Sequence, residues 1–367
     1  MIRKKYLLFL IIGVILFSNT NVLAVEDNDP NTLDIEKAAI TAINNSQSVK
    51  DFDTEKINMD RKYNDSQNST ALTLSRGIPN TQAIILNPIL AKNTLDQFLT
   101  QRDVNTKTVI LDVYSKYVAL LKANYAVNIQ MELTDNLKKE EEEAKLQLNN
   151  GLISQSAERL AEINYLKADY QLSKFQRSID SAYMTINLAI GQDMSKRYNT
   201  LIDYNIVAYK PSMTSQDYVK NALLKRGEIV NAQNALTAKK KVLEYTSFDS
   251  VSDYQFYSQK AQYDVDNSQN SLDKAKINIQ LELENGYKTL TGYIKTAESQ
   301  QANYDLAEAN YEAAKIQFSN TMISLSQFEG FEVAKAQAQM NQKNAQLDAW
   351  LQGAKMNFAS NIGPALN

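Results

Sequence analysis

A thirteen-residue segment occurs twice in this chain, and the repeat constrains the fold more than any other feature of the sequence. The first copy runs from Ala144 to Ser156 and the second from Ala314 to Ser326. Seven of the thirteen positions are identical when Ala144 is aligned with Ala314, and three more pairs keep apolar character. Each copy ends a long helical pattern, supplies Asn, Gly or Ser for a tight turn, and starts another helical pattern. We therefore expect two helical-hairpin tips in a chain built from two tandem repeats.

The segment 1–24 has the composition of a secretory signal peptide. Three basic residues, 3–5, precede an apolar run from Tyr6 to Phe17, and small residues follow up to Ala24. The apolar run has 12 residues, whereas a membrane-spanning helix needs roughly 20. We expect export with cleavage after Ala24, and retention as an uncleaved anchor is the alternative.

Composition disfavours most kinds of chemistry. The chain has no histidine and no cysteine, so the commonest general base, the thiol nucleophile and the nitrogen metal ligand are missing. The sequence also lacks a Gly-rich phosphate loop, a nucleophile elbow and an Asp-rich calcium loop. The formal charge of −3 becomes −6 without the three cations of the leader, which disfavours nucleic acid as a partner. We expect no enzymatic activity, no cofactor and no metal.

Long helices are predicted over most of the chain. Glycine and proline are scarce, at 10 and 5, while good helix formers fill long stretches. Long helices are expected at about 89–149 and up to residue 318, each followed by a return helix, of which the first ends near Gly191. A thin bundle of such helices cannot bury every apolar stripe within one protomer, so we expect assembly. The apolar positions at helical spacing are Val113, Tyr117, Leu120, Val127 and Met131; Leu160, Ile163, Leu166, Tyr170, Ile179, Tyr183, Ile186 and Ile190; and Leu290, Ile294, Ala297, Tyr304, Tyr311 and Phe318.

The shorter segments have weaker signals. Thr32 is expected to cap the first helix, and the charged run 138–143 is expected to be a solvated helix face rather than a partner-binding patch. Residues 64–88 are expected to form a connector with a weak strand pair at 71–74, and residues 247–254 a simple helical turn. The predicted division is a signal peptide at 1–24, a first helical-hairpin repeat at 25–191, a linker at 192–213 and a second repeat at 214–367.

The order of four features resembles the TolC-type outer-membrane efflux protein family. An opening element at 33–45 has an echo at 222–229, with Ala222 matching Ala42. The turn at 144–154 has its repeat at 314–324, and both halves end on similar segments, 188–191 and 360–363. None of these motifs is specific alone. Their duplication at a near-constant offset across almost the whole mature chain carries the resemblance.

The resemblance implies an all-α protein of long antiparallel coiled-coil hairpins in two tandem repeats, a TolC-like α-barrel protomer. Because the segments 64–88 and 247–254 offer too little alternating sequence for the strands of that family, we expect little or no β-barrel. The implied assembly is a homotrimer that passes substrate from an inner-membrane pump, ABC-type or proton-driven, through a periplasmic adaptor of the membrane fusion class. The expected location is the extracytoplasmic cell envelope.

The resemblance also implies roles for two groups of residues. Hairpin tips of the family meet the adaptor, and acidic residues often follow the second tip, where they ring the closed aperture. Here Gln327 and Gly330 stand at the acidic positions. The implied adaptor-docking tips are Gly151, Leu152, Ile153 and Ser154, with Thr321, Met322, Ile323 and Ser324, and the candidate aperture residues are Glu158, Arg159, Gln327 and Glu329.

Ordinary turn chemistry explains the glycine and serines of the tips equally well. Exposed Leu152 and Met322 are harder to explain, because a water-facing turn gains nothing from them. The rival interpretation of the chain is an exported coiled-coil scaffold, structural or adhesive, at the cell surface.

Overall fold

The computed structural model describes residues 31–75, 82–203, 209–246 and 254–366. The expected signal peptide at 1–24 lies outside these residues. The described elements, in chain order, are β1 (Thr32–Leu33), α1 (Ile35–Asn45), α2 (Gln47–Ser75), a π-helix (Gln82–Leu86), α3 (Asn87–Asn149), α4 (Gln155–Ile190), β2 (Thr200–Leu201), α5 (Ser215–Lys225), α6 (Gly227–Thr246), α7 (Tyr254–Ser319) and α8 (Leu325–Ala359).

Two long hairpins dominate the molecule, and the predicted all-α class is confirmed. Helix α3 has 63 residues and α7 has 66, so each is about 95–100 Å long. Helix α3 packs along α4, and α7 packs along α8. None of the helices in the described ranges combines the length and apolar character needed to cross a lipid bilayer. The division into repeats at 25–191 and 214–367 stays a prediction.

A one-residue break separates α1 from α2 and α5 from α6. Ser46 and Arg226 occupy the two breaks, and their backbone N–H groups donate to the carbonyls of Ala42 and Ala222 at 2.7 and 2.8 Å. The two breaks fall at equivalent positions when the opening segments are aligned with Ala42 on Ala222. The same local bend therefore precedes both long hairpins.

A buried tyrosine attaches the linker to the first hairpin. Strands β1 and β2 are parallel, with Thr32 opposite Thr200. The hydroxyl of Tyr117, on α3, lies 2.8 Å from the carbonyl oxygens of both Leu33 and Ile202. The strand pair is therefore held against α3, next to an apolar core that α1, α3, α4 and α8 share.

Two predictions near the N-terminus were wrong. Thr32 does not cap α1, because it belongs to β1, and Asp34 is the N-cap residue. The segment 71–74 is not a strand, because α2 continues to Ser75. Much of the expected connector 64–88 is therefore helical, although residues 76–81 lie outside the described part.

Tertiary contacts explain why α2 as a whole is helical although its sequence is polar. Helix α2 packs along α3, where the rings of Phe52 and Phe98 lie 5.4 Å apart. The guanidinium of Arg102 also pairs with Asp53 at 2.5 Å. Packing against a neighbour supplies most of the stability of a helix in a protein, so a weak local pattern is sufficient here.

Two further expectations have mixed outcomes. The linker 192–213 is irregular where it is described, except that it contains β2. The expected turn at 247–254 lies outside the described residues, apart from Tyr254, with which α7 begins.

In α3, Val113, Tyr117 and Leu120 are buried as predicted, whereas Met131 is exposed.

Gly191 ends α4 in a left-handed backbone conformation that costs other residues conformational free energy. Its φ is +67°, and an added Cβ would lie 2.8 Å from the Cβ of Asn45. We expect Gly191→Ala to lower the free energy of unfolding by about 1–3 kcal/mol, from left-handed backbone strain and crowding. Urea unfolding measures this. Gly292→Ala is the control, because Gly292 lies in α7 with open space around it. Alanine there should raise the free energy of unfolding by about 0.5–1 kcal/mol. Equal effects of the two substitutions would contradict the prediction.

Candidate functional site

The first hairpin tip is a Schellman turn followed by a serine cap. Gly151 has φ +68°, and its N–H donates to Leu148 while that of Leu152 donates to Gln147, both at 2.9 Å. The hydroxyl of Ser154 then accepts from the N–H at the start of α4. The backbone bonds of Gly151 and Leu152 and the serine cap stabilise the turn without the side chain of Leu152.

The second tip has the same geometry with a different residue at its centre. Thr321 adopts φ +57°, a left-handed conformation that costs a non-glycine residue about 1–2 kcal/mol. The N–H groups of Thr321 and Met322 donate to Phe318 and Gln317 at 2.8 Å. Ser324 begins α8 with a capping box, in which the side chain of Gln327 accepts from the Ser324 N–H.

Both tips present a large apolar side chain to solvent. Leu152 and Met322 are each 72% exposed, and Ile153 and Ile323 are half-buried. Exposed apolar side chains at two matched turns are typical of a binding surface rather than of turn formation. Their docking role stays a prediction.

The four candidate aperture residues occupy different environments. Arg159 is exposed and pairs with Glu162 on α4, and Glu158 is half-buried in the first turn of the same helix. Gln327 is engaged in the cap of α8. Glu329, in contrast, is 2% exposed and lies inside the protomer. The structure therefore does not bring the four together, and their aperture role stays a prediction.

Three glutamates meet between the two hairpins, and we call them the carboxylate cluster. Glu140 lies on α3, and Glu329 and Glu332 lie on α8. Glu332 is only 7% exposed, and Glu140 is half-buried. The cluster lies within about three helical turns of both tips, so the two tips are at the same end of the molecule.

Asparagines on the first hairpin bind the cluster, yet part of it remains unsatisfied. Asn164 of α4 donates to Oε2 of Glu329 at 2.7 Å, and Asn136 of α3 donates to Oε1 of Glu332 at 3.4 Å. One oxygen of each cluster glutamate, however, has no hydrogen-bond partner among the described residues. A buried carboxylate oxygen without a donor is costly.

The cluster favours the protonated form of its members. Burial is the largest cause of the raised pKa of Glu140, followed by the negative charges of Glu332, Glu329 and Glu143, and the resulting value is about 9. Burial also raises the pKa of Glu329 and of Glu332. The hydrogen bond from Asn164 opposes the shift of Glu329, and hydrogen bonds with Glu140, Asn136 and Tyr311 oppose the shift of Glu332. Burial and the neighbouring carboxylates therefore favour the protonated form of Glu140 at neutral pH. The described residues contain no group of His, Cys, Asp or Glu arranged to hold a metal ion.

The prediction that the charged run 138–143 is a solvated face was therefore wrong in part. Glu140 is a member of the carboxylate cluster and is half-buried, and Glu141 is buried and pairs with Lys145. A sequence signal existed, because Glu140 lies three residues after Leu137 and four before Ala144, both of which are buried. The opposing carboxylates on α8 could not be deduced from spacing along α3.

A stripe of apolar side chains on α4 is exposed. We call it the α4 stripe; it comprises Leu160, Ile163, Leu166 and Tyr170. These positions were identified as apolar positions at helical spacing, and along the same part of α4 the chain buries the small side chains of Ala161 and Ala168. At about 100° per residue the stripe covers one continuous face of the helix. It is therefore available for contact with another chain.

Comparison with known proteins bears on the fold. No protein family matches the sequence, and no curated protein is similar to it. Solved structures are similar over most of the chain. CusC, described as forming a transmembrane channel, has a TM-score of 0.67 at 10% identity, covering 90% of this chain and 92% of that one. The outer-membrane protein VceC of Vibrio cholerae has a TM-score of 0.67 at 10% sequence identity, and the match covers 90% of this chain and 96% of VceC. The outer-membrane channel CmeC of Campylobacter jejuni has a TM-score of 0.64 at 12% sequence identity, and the match covers 89% of this chain and 86% of CmeC.

The chain has a TolC-type fold. The resemblance drawn from the order of the sequence features is thereby confirmed at the level of the fold. In this TolC-type protomer the tips, the carboxylate cluster and the α4 stripe all lie on the two long hairpins, and the tips and the cluster are at one end.

Proposed function

We propose that this chain is a component of an efflux or export duct in the cell envelope. In this proposal three copies form a helical tube, and the tube receives substrate from a pump, ABC-type or proton-driven, through an adaptor of the membrane fusion class. The observation that carries the proposal is the likeness in fold to outer-membrane channels over about 90% of the chain. The chain acts as a passage in this account and catalyses no reaction.

The α4 stripe supports assembly from several copies. Its four side chains are large, apolar and consecutive on one helix face, and a single protomer leaves them in water. Burial of such a side chain contributes about 1.5–3 kcal/mol. A neighbouring copy in a tube of hairpins covers this face, whereas a monomeric rod does not.

The tips support docking of a partner at one end of the tube. Leu152 and Met322 extend from matched turns that backbone bonds and serine caps already stabilise. An adaptor that binds this end needs an apolar surface to receive them. The scaffold alternative gives these side chains no task.

The oligomeric state tests the proposal. Native mass spectrometry and electron micrographs of the mature chain should show trimers with a tubular outline. The Ile163→Asp, Leu166→Asp variant should dissociate to folded monomers, because it buries charge in the interface. Gln176→Asp is the matched control, since Gln176 is exposed on α4 away from the stripe, and this variant should remain trimeric. A wild-type chain that is a monomeric rod would overturn the proposal in favour of the scaffold.

A further inference from the structure

We propose that the carboxylate cluster is a proton-dependent latch that holds the two hairpins together near their tips. The latch joins α3 and α4 of the first hairpin to α8 of the second. It goes beyond the duct function, and it holds whether or not the chain conducts a substrate.

The hydrogen bonds of the cluster cross from one hairpin to the other. Asn164 and Asn136, on the first hairpin, bind Glu329 and Glu332 on the second. The apolar contact beside them is small, with Leu133, Leu137 and Ala168 as its buried members in the described part of the chain. Farther from the tips, the larger core and the Lys122–Asp348 pair at 2.6 Å hold the hairpins together. Near the tips, the polar contacts therefore decide whether the hairpins stay joined.

A bound proton completes the latch. Glu140 and Glu332 each have a buried oxygen without a partner among the described residues. When Glu140 is protonated, its carboxyl O–H group can donate a hydrogen bond to the Glu332 carboxylate, and both buried oxygens then have a partner. Without that proton, adjacent like charges on α3 and α8 repel in a poorly solvated space.

The surrounding charges favour this behaviour. Glu143 on α3 adds negative charge near Glu140. On α7, the hydroxyl of Tyr311 hydrogen-bonds Glu332, and burial together with the negative charge of Glu332 raises the pKa of Tyr311. Lys335 on α8 partly offsets the charge of Glu332, but it also pairs with Glu308 at 3.5 Å and lies over the Tyr311 ring at 4.5 Å. From α4, the neutral side chain of Asn164 donates to Glu329. Release of the proton is therefore not matched by a dedicated cation.

The direction of the pH effect follows from linkage. The pKa of Glu140 is about 9 in the closed arrangement, against an ordinary 4.5, so the closed form binds more protons than an open form that exposes Glu140 to water. The closed form is therefore most favoured at low pH. Its closing equilibrium weakens by up to about tenfold per pH unit as the pH rises between those two values.

Two measurements test the latch in the full chain. Infrared spectroscopy detects the carbonyl stretch of a protonated carboxyl at neutral pH, when ordinary carboxyls are ionised. Electron spin resonance measures the distance between labels at Gln155→Cys and Ser326→Cys, both exposed beside the tips, in a chain that has no other cysteine. Labelled chain is diluted into an excess of unlabelled chain, so that distances within one protomer are read.

The parent chain should show the protonated band at neutral pH, and its label distances should lengthen and broaden between about pH 6 and about pH 9. Glu140→Gln should remove the band and keep the short distances at both pH values, because the amide can donate without a proton. Glu142→Gln is the matched control, since Glu142 is exposed on the same helix, and it should behave like the parent.

Absence of the band in the parent would overturn the latch. An unchanged pH response in Glu140→Gln would also overturn it. If that variant does not fold, Glu332→Gln decides the question, because loss of the neighbouring charge should shift the titration of the band to lower pH. If the band of Glu332→Gln titrates at the same pH as that of the parent chain, the result would contradict the proposal. These outcomes are independent of the duct function, which the oligomeric state and export measurements test separately.

Discussion

Aspartate at both tips, Leu152→Asp with Met322→Asp, is expected to abolish export while leaving the protein folded and assembled. Both side chains are 72% exposed, and the turns around them are stabilised by backbone bonds and serine caps. The substitutions therefore remove little from the protomer. At a docked partner they remove about 1.5–3 kcal/mol of apolar burial per side chain, which together weakens binding by at least about a hundredfold.

The measurement has two parts. The melting temperature and oligomeric state of the purified variant should match the wild type, and cells that carry the variant as their only copy should lose tolerance to the drugs, peptides or metabolites that the system exports. The swap Leu152→Met, Met322→Leu is the matched control, because it keeps the apolar area and should keep export. Unfolding of the aspartate variant would show that these residues are part of the core. Unchanged tolerance in a folded variant would favour the scaffold interpretation.

Replacement of Arg226 by methionine is expected to lower the free energy of unfolding by about 3–5 kcal/mol. Arg226 is 1% exposed and pairs with Glu228 at 2.5 Å and with Glu282 at 3.0 Å. Its guanidinium also donates to the carbonyl of Ala359 at 3.2 Å. Methionine fills the space, but it leaves the buried carbonyl of Ala359 and the partly exposed carboxylates of Glu228 and Glu282 without their donor, at the point where α5, α6, α7 and the end of α8 meet.

Urea unfolding of the full chain checks this expectation. Arg226→Lys should give an intermediate loss, since lysine keeps the charge but cannot reproduce the forked donor geometry. Arg61→Met is the matched control, because Arg61 is highly exposed and its nearest carboxylate, on Asp65, is 3.9 Å away; that change should cost no more than about 0.5 kcal/mol. A loss at Arg226 no larger than at Arg61 would show that the buried network contributes little to stability.

Local sequence was sufficient where the signal is repeated and short in range. The turns at Gly151 and Thr321 were predicted, because glycine, asparagine and serine favour the end of one helix and the start of the next within a few residues. The end of α4 at Gly191 followed from the same chemistry. The pairing of the two opening segments was predicted too, and the breaks at Ser46 and Arg226 fall at equivalent positions of that alignment.

Local sequence failed where neighbours decide the outcome. Residues 71–74 alternate like a strand, yet α2 continues through them as one helix that packs on α3 and on the π-helix (Gln82–Leu86). The α4 stripe was recognised from its spacing, but the spacing did not indicate which apolar residues of α4 are buried within the chain and which are exposed. Small residues such as Ala161 and Ala168 pack against α3 because they permit close approach of the two helices.

The sequence by itself determined that this chain forms long helices, where the two hairpins turn, and that the pattern is duplicated, because helix period and turn chemistry act over a few residues. The tertiary structure alone decided that Glu140 of the first hairpin faces Glu332 of the second. It also decided that Arg226 is buried among acceptors from three segments. The physical reason is that burial and charge interactions depend on distance in space, which the packing of one hairpin against the other sets.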